Sequence, residues 1–395
     1  MSTQSEKRTV ASVSSRLPVF PWDRLEPYKA AAAAHGDGIV DLSVGTPVDP
    51  VPAVVRQALA EAADSPGYPL THGTSALRES VAAWLRERLG VTGAEPAAVL
   101  PTIGSKELVA WLPTLLGLEP GDQVAHPRLA YPTYEVGARL AGAEAVTYDV
   151  EVLAAGDPGA ALDPSRVKLL WLNSPSNPTG RVLSADELRS IVSWAREHGV
   201  LVVSDECYVE LGWDSEPVSV LHPDVCGAPS AGTPAARSGG ASGHDGLLAV
   251  HSLSKRSNFA GYRGAFVTGD PALVKELLGV RKHAGMIVPA PVQAAMIAAL
   301  GDQEHVAEQR ERYARRRAAL RSAFEGAGFR IEYSEASLYL WATRDEPCWD
   351  TVADLSKRGI LVAPGDFYGP AGERFVRIAF TATDERVAAA VERLT

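Results

Sequence analysis

Apolar residues along the chain fall into two kinds of pattern. From about residue 50 to residue 285, short continuous apolar runs alternate with stretches whose apolar positions recur at helical spacing. A run that is apolar at every position reads as a strand covered on both faces, so this region predicts a mostly parallel sheet with helices on either side, an α/β fold. The repeat is clearest from Val167 to Leu172, a buried strand followed by a loop and a helix. Ser184 and Glu187 form a capping-box pair at the start of that helix, and Gly199 stops it. The next strand, Val200 to Ser204, delivers Asp205 at its carboxyl end, the edge where open α/β sheets place ligands.

Beyond about Val288 the pattern changes. A helical region runs through the basic stretch Arg310 to Arg321, and alternating strand patterns near Tyr339 and Arg377 follow, as expected of a smaller α+β domain. The expected division is a large domain over 49–287 and a small domain made of 16–48 and 288–395. Residues 1–15 read as a polar, flexible arm, and Ala30 to Ala34 as good helix-forming sequence. The segment 226–246, rich in Gly, Ser, Ala and Pro, reads as a flexible surface insertion. No internal repeat is evident.

Composition narrows the function classes. With 395 residues, 46% hydrophobic and 22% charged, the chain can bury a large core. A formal net charge of -10 disfavours nucleic acid as a partner, since phosphate-backbone affinity depends on Lys and Arg. Cys207, Cys226 and Cys348 have no spacing that fits a disulfide framework or a metal site, so a reducing cytoplasm and no metal are expected. No apolar stretch approaches the length of a bilayer span, so no membrane association is expected.

Four motifs, and one further anion-binding turn, then carry candidate chemistry. Ser254-Lys255 follows the apolar run of Val250-His251-Ser252-Leu253, and a partly desolvated lysine favours the neutral amine that attacks an aldehyde. Asp205-Glu206-Cys207-Tyr208 puts a carboxylate at a buried strand end, where it needs a facing cation such as a protonated pyridine nitrogen. Asn173-Ser174-Pro175-Ser176-Asn177-Pro178-Thr179-Gly180 sets an amide after another buried strand. Ala260-Gly261-Tyr262-Arg263-Gly264 frees a guanidinium fork to reach phosphate, and Thr102-Ile103-Gly104-Ser105-Lys106-Glu107 opens a helix whose free N–H groups favour an anion. Each also reads as ordinary structure on its own: a solvated lysine, a capping aspartate, a proline turn, a glycine turn.

In this order, the motifs resemble those of the fold type I aminotransferases, the class I and II family, over nearly the whole chain. The resemblance implies a mostly parallel seven-stranded sheet in a large domain, a small α+β domain, and pyridoxal 5'-phosphate held on Lys255 as a Schiff base. It implies that Asp205 pairs with the pyridine nitrogen, and that Asn177 and Tyr208 hold the ring hydroxyl. Ser252, Ser254, Arg263, Gly104, Ser105 and Lys106 fall at cofactor-holding positions, mostly toward the phosphate. Tyr131 matches a ring-stacking aromatic, although a core tyrosine fits the sequence nearly as well. Tyr68 matches a tyrosine that reaches the phosphate of a neighbouring subunit, which implies a homodimer with shared sites. Arg377 matches the residue that binds the substrate α-carboxylate, and Gly45 a glycine whose backbone lies near it; a turn glycine is its ordinary reading.

The implied reaction is a ping-pong exchange of an amino group between an amino acid and a keto acid, usually 2-oxoglutarate. Two features depart from the family pattern: Asp205 and Lys255 are farther apart, which the 226–246 insertion explains, and Ala336-Ser337 replaces a glycine pair. More narrowly, Leu17-Pro18-Val19-Phe20-Pro21-Trp22-Asp23 and the segment from Gly38 to Pro50 resemble bacterial N-succinyl-LL-2,6-diaminopimelate aminotransferases of lysine biosynthesis. That substrate carries distal carboxylates and implies a basic pocket wall, with Arg16, Lys29 and Arg128 as candidates. Rival readings are an aspartate- or alanine-type aminotransferase, a C–S lyase using the same cofactor, and the effector domain of a transcription regulator. The last lacks room for a DNA-binding module ahead of the fold.

Overall fold

The computed structural model describes residues 12–156, 162–227 and 243–395. Most of the 226–246 insertion and of the 1–15 arm therefore lies outside the described residues.

A seven-stranded sheet forms the large part. Its strands run in the order Val99–Ile103, Gly264–Gly269, Leu247–Ser252, Leu201–Asp205, Val167–Asn173, Gln123–Pro127 and Glu144–Tyr148. All are parallel except Gly264–Gly269, which runs antiparallel to both of its neighbours. The apolar runs lack alternation because both faces are covered. Leu170, Leu172, Val202 and Ala249 enter one core, while Leu169, Trp171, Val203, Leu248 and Val250 enter another on the opposite face. The capping box at Ser184 and Glu187 is present, and it starts the helix Ala185–Glu197.

Register sets the working edge of this sheet. Asn173 pairs with Asp205 and Asp205 with Val250, two residues before the end of Leu247–Ser252, so three neighbouring strands finish at one edge. The reversed strand brings its amino end to the same edge, where Gly264 pairs with Ile103 and Ala265 with Ser252. Arg263 thereby arrives beside residues from strands running the other way.

The smaller part is an antiparallel sheet ordered Ala363–Pro364, Val376–Ala379, Tyr339–Thr343 and Arg330–Glu332, packed with the long helix Glu304–Gly326. Val40–Asp41 joins it by pairing in parallel with Ile360–Leu361. The helix Ala290–Gly301, expected with the small domain, instead buries Val292, Met296 and Ala299 in a core of the large sheet. Its apolar character runs all round the helix, so its spacing held no clue to which part it joins. Among the described residues, no helix is long and apolar enough to cross a membrane, and no cluster of His, Cys, Asp or Glu could hold a metal ion.

The base of the insertion is clasped. Arg196, on the helix Ala185–Glu197, donates to the carbonyl of Cys226 at 2.6 Å and to that of Gly243 at 2.5 Å. A Cβ on Gly243 would meet the Gly227 carbonyl at 2.5 Å, so the two ends of the segment lie side by side.

Ser184→Ala removes one half of the capping box and is expected to lower stability by about 1 kcal/mol. Urea denaturation would measure this, and an unchanged midpoint would show that the cap is not stabilising.

Candidate active site

A cavity of about 770 Å³ opens at the shared edge, between the large sheet and the smaller part. Gly45, Ser105, Lys106, Tyr131, Asn177 and Asp205 line it, as do Tyr208, Ser252, Ser254, Lys255, Arg263 and Arg377. Residues drawn from distant parts of the sequence thus meet in one place. Gly104 sits just behind them, in contact with Arg263.

Asp205 is buried, 7% exposed, at the end of its strand. One carboxylate oxygen accepts from the Tyr134 hydroxyl at 3.0 Å and the other from the Cys207 N–H at 3.3 Å. Burial pushes its carboxyl above the ordinary value, against the lowering effect of those hydrogen bonds. Among the described residues no basic side chain pairs with it, and a cation in the cavity would favour its charged form.

Lys255 stands on the short helix Leu253–Arg256, directly after the strand Leu247–Ser252. Its Nζ donates to the Gly45 carbonyl at 2.5 Å. Desolvation holds this amine below the ordinary lysine range, helped by Arg377 and Arg263 and opposed by Tyr339 and Cys207. A lowered value raises the neutral, nucleophilic fraction at any given pH.

An anion cradle lies to one side. The helix Ser105–Leu115 begins after Gly104 with no side-chain cap on its free N–H groups. Arg263 holds a left-handed conformation at φ 58°, and its guanidinium donates to the Ala260 carbonyl at 3.0 Å. A Cβ on Gly104 would lie 2.3 Å from the Arg263 Nη2, so a larger residue there, besides straining φ 74°, would displace the guanidinium. A free helix start beside a guanidinium fits a phosphate.

At the opposite side, Arg377 is 3% exposed and has only neutral partners. It donates to Asn177 Oδ1 at 2.8 Å and to the Ser43 carbonyl at 2.7 Å, while its Nε has no partner. The guanidinium also lies over the Tyr339 ring at 4.0 Å and the Tyr368 ring at 4.9 Å. Asn177 accepts from Arg377 through Oδ1 and donates its backbone N–H to Asn173 Oδ1 at 2.7 Å. That leaves its amide NH2 available to a ring oxygen.

Sequence reasoning passed over three contributors. Tyr134 braces Asp205 while stacked on Trp171 at 4.9 Å. Asn173 ties the Asn177 turn to the Asp205 carbonyl, to which it donates at 2.8 Å. Tyr339 reaches the Tyr208 hydroxyl at 2.9 Å. The signal for Asn173 was its place at a strand end level with Asp205; nothing local marked the two tyrosines as more than core.

Other expectations are placed elsewhere. Tyr68 is 100% exposed and outside the cavity of its own chain. Arg16, Lys29 and Arg128 do not line the cavity either: the first two are exposed, and Arg128 pairs with Asp149 at 3.7 Å beside a separate cavity. The expected basic wall is thus absent from the described cavity lining. Leu17, Phe20 and Trp22 stand there instead, with Val44 and Val136. Phe20 lies under the Lys106 ammonium at 6.0 Å.

The chain resembles known proteins along nearly its whole length. The family model described as "Aminotransferase class I and II" matches residues 37–394. The 4-dedimethylamino-4-oxo-anhydrotetracycline transaminase of Streptomyces rimosus is 62% identical over 96% of this chain and 99% of that protein. A probable aminotransferase of Mycobacterium tuberculosis is 63% identical over 97% of this chain and 86% of its own length. Among solved structures, an aminotransferase from Neisseria meningitidis superposes with a TM-score of 0.84 at 30% identity, covering 97% of this chain and 98% of that one. A probable N-succinyldiaminopimelate aminotransferase from Thermus thermophilus gives 0.81 at 29% identity, over 95% and 99%.

Gly104→Ala forces both a strained φ and a collision with Arg263. The variant is expected to bind pyridoxal phosphate about tenfold more weakly or worse, by fluorescence titration. Affinity equal to that of the unaltered protein would show that the guanidinium does not need this space.

Proposed function

Since the chain belongs to the class I and II aminotransferases, a pyridoxal-phosphate-dependent family, we propose that it moves an amino group between an amino compound and a 2-oxo acid with Lys255 as its catalytic base. One observation carries this reading: a lysine amine with a lowered pKa and a buried carboxylate lacking a cation face the same cavity.

Bound there, pyridoxal phosphate supplies an aldehyde carbon and a protonated ring that draws electrons from the substrate α-carbon. Each residue then has a task. Asp205 keeps the ring nitrogen protonated, and Tyr134 keeps Asp205 in place. The Asn177 amide and the Tyr208 hydroxyl donate to the ring hydroxyl oxygen. Arg263 and the helix start at Ser105 and Lys106 hold the phosphate, with Ser252 and Ser254 beside them, while Tyr131 covers the ring. Arg377 takes the substrate carboxylate through its fork, with Asn177 and Ser43 fixing its orientation. With that group bound, the Lys255 Nζ would act as the base that takes the proton from the substrate α-carbon and as the acid that gives it back. The second half of the cycle reverses these transfers on a 2-oxo acid such as 2-oxoglutarate.

The substrate body meets an apolar wall. Lys255, Arg263 and Arg377 have tasks of their own, and Lys106 is the remaining basic residue of the described lining. This favours a substrate with a bulky body and an apolar face; the Streptomyces relative is named for a 4-oxo-anhydrotetracycline. N-succinyl-LL-2,6-diaminopimelate is the second reading, supported by the Thermus neighbour's name. Lys106, at the mouth, is the group that could meet its distal carboxylate.

The reading extends to a homodimer. Tyr68 and Leu70 are exposed, as are Val19 and Phe20, and a partner subunit covering them would bring its phosphate within reach of Tyr68.

Borohydride treatment of the protein with pyridoxal phosphate is expected to fix the ring on Lys255, at a pH where ordinary lysines remain protonated. Lys255→Ala is expected to lose repeated turnover. Labelling spread over surface lysines would refute the assignment. A panel of amino donors with 2-oxoglutarate separates the substrate readings: aromatic and other bulky apolar donors are expected to exceed N-succinyl-LL-2,6-diaminopimelate, alanine and aspartate in kcat/KM. A clear preference for the succinylated donor reverses that order. Light scattering is expected to give twice the chain mass, with Tyr68→Phe weakening cofactor retention; a monomer at full activity would end the shared-site reading.

A further inference from the structure

Tyr339 belongs to the smaller part of the molecule, on the strand Tyr339–Thr343, yet its hydroxyl meets the large part at 2.9 Å from the Tyr208 hydroxyl. Its ring is edge-on to that of Tyr208 at 5.7 Å and carries the Arg377 guanidinium on its face at 4.0 Å. The tip of the ring rests on Gly45. A Cβ at that glycine would lie 2.3 Å from the Tyr339 hydroxyl and 2.6 Å from a ring carbon. Gly45 in turn accepts the Lys255 amine on its carbonyl. One side chain therefore touches three groups assigned to cofactor and substrate, and it is fixed from both sides by packing.

We infer that Tyr339 is a positioning residue: its hydroxyl donates to Tyr208 and so turns the Tyr208 proton toward the ring hydroxyl oxygen of pyridoxal phosphate. This rests on the reading above that Tyr208 holds that oxygen. The physical reason is the single proton on each phenol. Left to itself, the Tyr208 hydroxyl can spend its proton on Tyr339 or on the cofactor; when Tyr339 is the donor, only the cofactor remains. A phenol that accepts one hydrogen bond is also a better donor in the next. The negative form of the ring oxygen is then favoured, and the imine nitrogen loses its proton at lower pH.

The geometry also fixes the residue types. Phenylalanine at 339 would keep the stack on Arg377 and lose the link. Alanine at 45 has no backbone penalty, because this glycine does not need a left-handed φ, but its methyl would drive the Tyr339 hydroxyl off its place. Two unrelated substitutions should therefore give the same spectral result.

The test is a spectrophotometric pH titration of the bound cofactor, whose absorption reports imine protonation without turnover. Tyr339→Phe is expected to raise the midpoint by roughly half a unit to one unit, the size of one ordinary hydrogen bond. Gly45→Ala is expected to move it in the same direction. Tyr208→Phe should raise it further, and the Tyr208→Phe/Tyr339→Phe double variant should match Tyr208→Phe alone, since Tyr339 acts through Tyr208. An unchanged midpoint in Tyr339→Phe overturns the inference, as does a shift that adds in full to that of Tyr208→Phe. If Tyr208→Phe itself leaves the midpoint in place, the role of Tyr208 falls, and the inference with it, while the Lys255 assignment is untouched. Cofactor absorption retained by each variant reports that it still folds.

Discussion

A carboxylate at the end of a buried strand is the constraint around which this structure is arranged. Burial raises the Asp205 carboxyl above its ordinary value, and among the described residues no basic side chain pairs with it, so a cation bound in the cavity would favour its charged form. The surrounding construction keeps that carboxylate from finding another answer. Tyr134 holds one oxygen, the Cys207 N–H holds the other, and Asn173 takes the Asp205 carbonyl. Strand register does the rest. Because Asn173, Asp205 and Ser252 lie at one edge, and the reversed strand brings Arg263 to it, nearly every polar group in the cavity issues from the same rim.

The smaller part of the molecule closes the other side through polar contacts as well as packing. Arg377 is paired in register with Trp341 on the neighbouring strand, and it crosses the boundary to Asn177. Tyr339 crosses it to Tyr208. Both links end on groups proposed to touch the cofactor ring, so the two parts cannot shift relative to one another without disturbing its hydrogen bonds. A guanidinium with an unpartnered Nε and only neutral neighbours is costly to bury, and an arriving carboxylate would repay that cost.

Much of this was legible in the chain. Continuous apolar runs gave the doubly covered sheet, and the capping box gave a helix start to the residue. Lys255, Asp205, Asn177, Arg263 and Ser105, named from short motifs, line one cavity, because those motifs sit where strands end and backbone geometry is fixed locally. What the sequence hid depends on long-range contact. Tyr134 and Tyr339 look like core aromatics until the partner across the cavity is known. The basic wall failed for a similar reason: Arg16, Lys29 and Arg128 lie near the right motifs in sequence, but distance along the chain says nothing of which way a surface side chain turns. The helix Ala290–Gly301 was placed with the wrong part because an all-apolar helix has no face to read.

The clasp made by Arg196 bears on chain length. With the Cys226 and Gly243 carbonyls held by one guanidinium, the points where the chain leaves and rejoins the fold lie side by side. Asp205 and Lys255 flank that segment in sequence, yet each follows from a strand of the large sheet. A change in the number of residues between them need not move either catalytic group.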